Sequence, residues 1–369
     1  MIIKQLDEKN IKLPAIGQGM GEYKWDESQI NTLRAGIDLG MNLIDTAEEY
    51  DNGRSEEIVG KAIKGIRDNV IIATKYSPLH NSYDSVINAV EGSLRRLQTD
   101  RIDLYQMHWP NPSVSLDETL SAMEHLIKTG KVCYIGLGNM FLRELKEARN
   151  LVKSISSLQI EYNLFDRTIE SEIIPFCLEC NIFILAYSPL DKGRIGDGLE
   201  QIRTMNEIAK KHQKTPAQVA LRWLIEKKTV VVIPKAKNIK HLKENAAAAA
   251  FDLEKEDIQM IDKAFDRQIM FIAPEKILVS LKGEGNKAVY QTIDDAKKNK
   301  MGFVPSPSVL SKSIIKENII KPVRLVRSKD KSGKYDYALV EGRIRYWAWV
   351  IAYGNRPIPA YIRDKGLDE

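Results

Sequence analysis

The sequence predicts an α/β chain: an eight-fold (β/α)₈ barrel over residues 1–266, then a small α+β domain over 267–369. Three observations predict it. Short β-rich runs alternate with amphipathic helices eight times and the alternation stops near Asp266, a count and length that suit a (β/α)₈ barrel. A chain of 369 residues is long for one compact domain. Charge also divides there: from Gln268 onward there are 19 Lys+Arg against 11 Asp+Glu, whereas the remainder has 36 against 39. The basic excess marks the tail as a separate module, of a kind that meets phosphates.

The elements follow in order. MIIKQL and IKLPAI flank a polar turn and read as an opening hairpin. Strands are predicted at AIGQGM, NLID, VIIATK, DLYQMH, KVCYIGLG, LQIEYN, FILAY and VVVIP. Between them, SVINAVEGSLRRL puts Val86, Val90 and Leu94 on one helical stripe. TLSAMEHLIKTGK stops on Gly130. TPAQVALRWLIEKK has Thr215 as N-cap and Pro216 at the first helical position. The alanine run from Ala246 is read as helix surface, since alanine is the best helix former. A doubly wound sheet would need a Gly-rich turn opening straight into a helix. Gly17, Gly19 and Gly21 are instead followed by EYKWDES, which does not start one.

The tail reads as strand, helix, helix, strand, hairpin and helix. MFIAPEKILVS opens it and YQTIDDAKKNK is a helix. The next helix is capped at Ser306 or Ser308, a hairpin turns at KSGK, and RIRYWAWVIAYG ends past Gly354.

Composition excludes several classes. Hydrophobic residues make up 43% and charged residues 28%, an ordinary soluble balance, and no apolar run is long enough for a membrane span. Met1 to Asn10 alternates apolar and charged residues, unlike a signal peptide. Three cysteines, an odd number, favour a reducing cytoplasm. Cys177 and Cys180 form a C-x-x-C, which reads either as a redox or zinc half-site or as plain helix packing. No further ligands at suitable spacing accompany it, so no metal is expected.

Four polar residues stand at or beyond carboxyl ends of predicted strands: Asp45, Tyr50, Lys75 and His108. In a (β/α)₈ barrel that rim is the active-site face. Their chemistry is complementary. Hydride delivery to a carbonyl leaves an alkoxide that needs a proton. A tyrosine is a poor donor, with a free pKa of about 10; a nearby ammonium favours the phenolate and improves it. Lys75 supplies that charge, Asp45 holds Lys75, and His108 orients the carbonyl oxygen.

G-x-N-L-I-D-T-A from Gly40, then Tyr50, then S-E-E-I-V-G from Ser55, resembles the aldo-keto reductase signature, with the likeness running from about residue 10 to 265. The family's Asp–Tyr–Lys–His tetrad falls on Asp45, Tyr50, Lys75 and His108. The resemblance implies an NAD(P)-dependent oxidoreductase that reduces a small, sugar-like or other polar aldehyde or ketone. It also implies cofactor contacts. Asn139 and Gln159 grip the nicotinamide carboxamide, with Gly138 where the family has serine. Tyr187 stacks on the ring. Ser188 and Leu190 meet the pyrophosphate, Arg194 adds charge there, and Gly19 joins the cofactor set. Lys235 meets a 2′-phosphate, supported by Lys237. Ala236 replaces the usual serine and His241 the usual arginine, whereas Glu244 and Asn245 keep the adenine-side pair. NADP is therefore expected first and NAD second. Trp109 lines the substrate pocket.

In the tail, a strand meets Glu341-Gly342-Arg343-Ile344-Arg345 and runs directly into a helix. A glycine turn, arginines and a helix N-terminus together favour phosphate. This segment, with I-A-P-E-K-I, K-P-V-R and I-P-A-Y-I, resembles the ParB N-terminal and sulfiredoxin group. The resemblance implies a nucleotide-phosphate site at Gly342, Arg343 and Arg345. Arg343 stands where a sulfiredoxin needs cysteine, which argues against sulfinic acid reduction. Nucleic acid is a weaker candidate partner, since aromatics beside arginines also stack bases. The competing reading makes the tail a nucleotide-binding or phosphotransfer module and the barrel its scaffold or cofactor sensor.

Overall fold

A computed structural model describes residues 1–6, 11–21, 24, 26–193, 199–266, 269–279, 290–317, 320–328 and 333–363. The chain divides into two compact units, Met1–Ile195 with Gln201–Ala264, and Gly196–Glu200 with Phe265–Glu369.

In the first unit, β1 (Ile3–Gln5) and β2 (Lys12–Pro14) form the antiparallel opening hairpin. Its apolar residues Leu6, Ile11 and Leu13 are buried against inward side chains of the barrel, among them Leu43, Leu104 and Phe183. The hairpin thus plugs one end of the barrel. Lys4 ties it down, donating through Nζ to the carbonyls of Ile225 and Lys227.

Eight parallel strands follow in chain order: β3 (Gln18–Gly19), β4 (Leu43–Asp45), β5 (Ile71–Tyr76), β6 (Ile102–Met107), β7 (Val132–Gly138), β8 (Ile155–Glu161), β9 (Phe183–Tyr187) and β10 (Val230–Val232). The sheet closes on itself. Gly17 N donates to Val232 O at 2.8 Å, Val232 N to Ala15 O at 3.0 Å, and Gly19 N to Pro234 O at 3.1 Å. Closure leaves no open edge.

The surrounding helices are α1 (Ser28–Asp38), α2 (Arg54–Ile63), α3 (Tyr83–Leu97), α4 (Leu116–Lys128), α5 (Leu142–Leu151), α6 (Ile173–Glu179), α7 (Leu199–His212), α8 (Pro216–Ile225), α9 (Ile239–Ala247) and α10 (Lys255–Ala264). Val86, Val90 and Leu94 bury one stripe of α3, as their spacing predicts. Thr215 caps α8 by accepting from Gln218 N at 3.3 Å. The alanine run is only partly helical: α9 stops at Ala247, and Ala248 to Ala250 make successive turns. Alanine propensity extends a helix but does not forbid its end. Cys177 is buried on α6, Cys180 follows its end, and no metal-competent cluster occurs among the described residues. No helix among them is long and apolar enough to cross a membrane.

The second unit is a mixed five-stranded sheet with helices. Its elements are β11 (Met270–Ile272), β12 (Ile277–Leu278), α11 (Ile293–Lys297), α12 (Pro307–Glu317), β13 (Val323–Arg327), β14 (Tyr337–Glu341), α13 (Arg343–Tyr353) and β15 (Ile358–Arg363), with strand order β11-β15-β13-β14-β12. Val309 N bonds to Ser306 Oγ, which settles the cap of α12. β13 and β14 pair as the expected antiparallel hairpin; its tip falls partly outside the described residues. β15 is an addition to the predicted order. It lies inside the sheet, antiparallel to β11 and parallel to β13. Pro359, which lacks a ladder N–H, hides it from a sequence reading.

The tail aromatics are packing residues. Trp347 and Trp349 are buried, and their indole N–H groups donate to Tyr290 O and Arg356 O. This burial favours packing over the weaker reading in which the rings stack bases, because a stacking ring must be exposed.

Candidate active site

Side chains alternate along a strand, so inward residues near the strand ends share one rim. β4 ends on Asp45, Lys75 lies one residue before the end of β5, and His108 directly follows β6. β8 contributes Gln159 from across the barrel. Asp45 Oδ2 accepts from Lys75 Nζ at 2.9 Å, and Asp45 Oδ1 accepts from Gln159 Nε2 at 2.7 Å. Three strands separate β8 from β4, so the second bond spans the interior. Lys75 Nζ also donates to Thr46 O at 2.6 Å. Burial pushes the Lys75 ammonium below its ordinary range, while the Asp45 carboxylate pulls it back.

Tyr50 sits above this pair. Lys75 Nζ lies 4.8 Å from the centroid of its ring. The turn after it is sharp: Asp51, Asn52 and Gly53 all have positive φ, at 50°, 53° and 86°. Asp, Asn and Gly tolerate that region best, so the sequence D-N-G is what lets the chain reverse into α2 with Tyr50 left at the mouth. At Gly53 a Cβ would also fall 2.6 Å from Arg96 Cδ. His108 meets the Tyr50 ring edge-on, with centroids 5.6 Å apart. Its Nδ1 is 2.8 Å from Glu49 Oε2. Tyr76 and Tyr105, the neighbouring phenols, are pushed far up by burial and take no part in acid–base work.

The amide groups beside the tetrad are knitted together. Asn139 stands at φ 57°. It donates through Nδ2 to His108 O at 3.1 Å and accepts from Tyr187 OH at 2.9 Å. Gly138 has a steric reason for lacking the family's serine: a Cβ there would lie 2.5 Å from His108 O and 2.6 Å from Met107 O. Gly138→Ser is therefore expected to cost about 1–3 kcal/mol of stability by overpacking. It should lower kcat by shifting His108, readable as a fall in Tm together with turnover.

Other rim positions also carry the expected residues. Gly19 packs where a Cβ would be 2.5 Å from Ile233 O. Ser188 has φ 47°, and its carbonyl accepts from Asn163 Nδ2. Leu190 O accepts from Gly193 N. Lys235 and Lys237 are exposed just before α9, whose cap Asn238 accepts from His241 N at 2.9 Å. His241 Nδ1 lies 3.2 Å from Glu244 Oε2, and Asn245 is buried. Trp109 is 40% exposed at the mouth. Arg194 lies outside the described residues. Glu49, Thr46 and Ser77 are site residues that the sequence reading passed over. The one signal for them was the doublet Glu48-Glu49 directly before Tyr50.

In the second unit, Gly342 has φ 95° at the start of α13. The Arg345 guanidinium donates to Lys321 O at 3.1 Å and Pro322 O at 2.8 Å. It braces the turn instead of standing free for a phosphate. Arg324 and Glu341 pair at 2.6 Å beside it.

Comparison with known proteins agrees with this geometry. The profile of the aldo/keto reductase family matches residues 15–266. Methylglyoxal reductase YeaE of Escherichia coli is 41% identical over 263 residues, 69% of this chain and 92% of that protein. Aldo-keto reductase YhdN of Bacillus subtilis is 36% identical, over 58% of this chain and 75% of that protein. A Klebsiella pneumoniae aldo/keto reductase, solved with NADP and acetate, superposes with a TM-score of 0.65 at 38% identity, covering 69% of this chain and 92% of that one. With the strand order, the rim and the sequence match in accord, the chain belongs to the aldo/keto reductase family.

Proposed function

We propose that the barrel reduces the carbonyl of a small polar aldehyde or ketone, with an α-oxoaldehyde such as methylglyoxal as the first candidate, using NADPH. The observation that carries this reading is the Lys75 ammonium, fixed by Asp45 and Thr46 and set 4.8 Å from the Tyr50 ring. Bound NADPH supplies the hydride. Tyr50 gives the substrate oxygen its proton, Lys75 favours the phenolate left behind, and His108 orients the oxygen. Asn139 and Gln159 would hold the carboxamide, and Tyr187 the ring face. Backbone groups at Ser188 and Leu190, with Arg194, would meet the pyrophosphate. Two exposed lysines beside the capped start of α9 suit a further phosphate, which favours NADP over NAD. His241, Glu244 and Asn245 would flank the adenine. Gly19 keeps the rim clear of a side chain, and Trp109 would border the substrate. Free Cys133, Cys177 and Cys180 suit a cytoplasmic enzyme.

The test is consumption of NADPH and of NADH with methylglyoxal and a panel of small carbonyls. Lys235→Ala is expected to raise KM for NADPH about tenfold or more, the loss of one charge-assisted bond to phosphate. KM for NADH should stay nearly unchanged. An equal effect on both cofactors would remove Lys235 from phosphate recognition.

For the second unit we propose an accessory phosphate-binding module of the ParB N-terminal and sulfiredoxin type. Support comes from the left-handed Gly342 opening α13 and from Arg343 beside it; Arg345 serves as the brace. ATP titrated against NADPH-saturated protein, with Arg343→Ala as control, tests it. The assembled tetrad favours this division of labour over a barrel that serves only as scaffold.

A further inference from the structure

Glu49 stands directly before Tyr50, and the proton path above makes no use of it. Its side chain is 40% exposed at the mouth, whereas Asp45 and Lys75 beneath Tyr50 are buried. It is also held in place. Oε1 accepts a 3.0 Å hydrogen bond from Ser77 Oγ, and Ser77 is buried just past β5. Oε2 lies 2.8 Å from the His108 ring, which in turn meets the Tyr50 ring with centroids 5.6 Å apart. Any carbonyl that Tyr50 protonates therefore sits beside this carboxylate. The neighbouring His108 ring and the Ser77 hydroxyl hold the Glu49 carboxyl below the usual carboxylate range, against the opposing effect of burial. A carboxyl in that range is charged at neutral pH.

The cations near this turn are already matched. Lys75 Nζ is 2.9 Å from Asp45 Oδ2, Arg96 Nε is 2.7 Å from Glu56 Oε2, and an Arg54 nitrogen is 2.8 Å from Glu57 Oε2. Arg96 comes no nearer than 3.8 Å to Glu48. Glu48 and Glu49 are left facing two imidazoles, His80 at 2.7 Å and His108 at 2.8 Å. Two imidazoles offset two carboxylates at most, whatever their protonation. Among the described residues, this side of the mouth thus holds no surplus positive charge for an acidic substrate. Two exposed apolar side chains, Leu79 and Trp109, complete the wall. Leu79 N donates to Ser77 Oγ at 3.3 Å, and Asn81 Nδ2 donates to Trp109 O at 3.2 Å. Asn111 Nδ2 donates to Pro78 O at 3.0 Å, which ties the loop after β6 to the loop after β5.

We infer that Glu49 selects substrates by charge: its carboxylate turns away carbonyl compounds that carry an acid group beside the reacting carbon, and the mouth accepts uncharged and cationic aldehydes and ketones. The inference rests on the reductase reading of the site and adds the substrate class. Two effects act together. An acid entering here loses hydration and finds no spare cation. It also meets a like charge, and at a separation of about 6 Å in a partly screened site that repulsion changes occupancy by about tenfold. Glu49 itself gives and takes no proton. It is a specificity residue.

Two readouts on the full chain test this at neutral pH. The first is the ratio of kcat/KM for methyl pyruvate to that for pyruvate, a pair that differs by one charge beside the reacting carbonyl. Comparing this ratio between variants cancels the intrinsic reactivity of the two compounds. Glu49→Gln is expected to lower it about tenfold and Glu49→Lys to lower it further. The second needs no turnover: acetate titrated against NADP-saturated protein, followed by protein fluorescence, should bind about tenfold more tightly to Glu49→Gln than to the wild type. Added salt should also lower the wild-type ratio, a check that needs no variant to fold. A ratio or an acetate affinity that Glu49→Gln leaves unchanged overturns the inference, and so does a wild-type ratio indifferent to salt. A wild type that reduces neither methylglyoxal nor methyl pyruvate sinks the reductase reading instead, and this inference falls with it.

Discussion

Tyr50→Phe is expected to lower kcat for carbonyl reduction by about a thousandfold, within the 10²–10⁴ range typical of a general acid, and to leave NADPH affinity within about twofold, well under the 1.4 kcal/mol of a tenfold change. The substitution removes one oxygen and keeps the ring. That ring still faces Lys75 Nζ at 4.8 Å and still meets His108 edge-on, so the turn through Asp51, Asn52 and Gly53 has no reason to rearrange. Apart from Gly19 on β3, the residues assigned to the cofactor lie on, or beyond the ends of, β7 to β10, and the lost oxygen belongs to none of them. Fluorescence titration of NADPH and steady-state turnover separate the two quantities. A raised KM with kcat intact would make Tyr50 a binding residue and return the proton to another donor.

How far the sequence carries is visible residue by residue. The barrel was legible because short β-rich runs alternate with amphipathic helices eight times before Asp266. Asp45, Lys75 and His108 were legible for the same reason: strand ends define the rim. Glu49 was not, because one member of an acidic doublet on an exposed loop looks like any solvated charge. Only the fold brings it to His108. Arg345 illustrates the reverse case. Its spacing from Gly342 suggested an anion ligand, yet the turn folds its guanidinium back onto two carbonyls, which no local pattern announces. β15 was hidden by Pro359, since a proline argues against an interior strand until its partners are known.

Lys75→Met should abolish reduction and also destabilise the barrel, and a second substitution separates these effects. Asp45 is 3% exposed. Without the ammonium its carboxylate keeps, among the described residues, only the Gln159 amide, and an uncompensated buried charge costs about 3–5 kcal/mol. A fall in Tm alone would therefore say little about chemistry. Adding Asp45→Asn removes the orphaned charge while an amide oxygen still faces Gln159 Nε2. The double variant is expected to recover most of the lost stability and none of the reduction at neutral pH. Its chemistry should differ in a directed way. With no ammonium nearby, the Tyr50 phenol lacks the charge that favours its phenolate. The reverse reaction, alcohol oxidation with NADP, needs the phenolate, so its rate in the double variant should keep rising to higher pH than in the wild type. Denaturation midpoints and the pH profile of oxidation check the two halves. Recovery of reduction together with stability would show that Lys75 serves the fold and that Tyr50 needs no cation beside it.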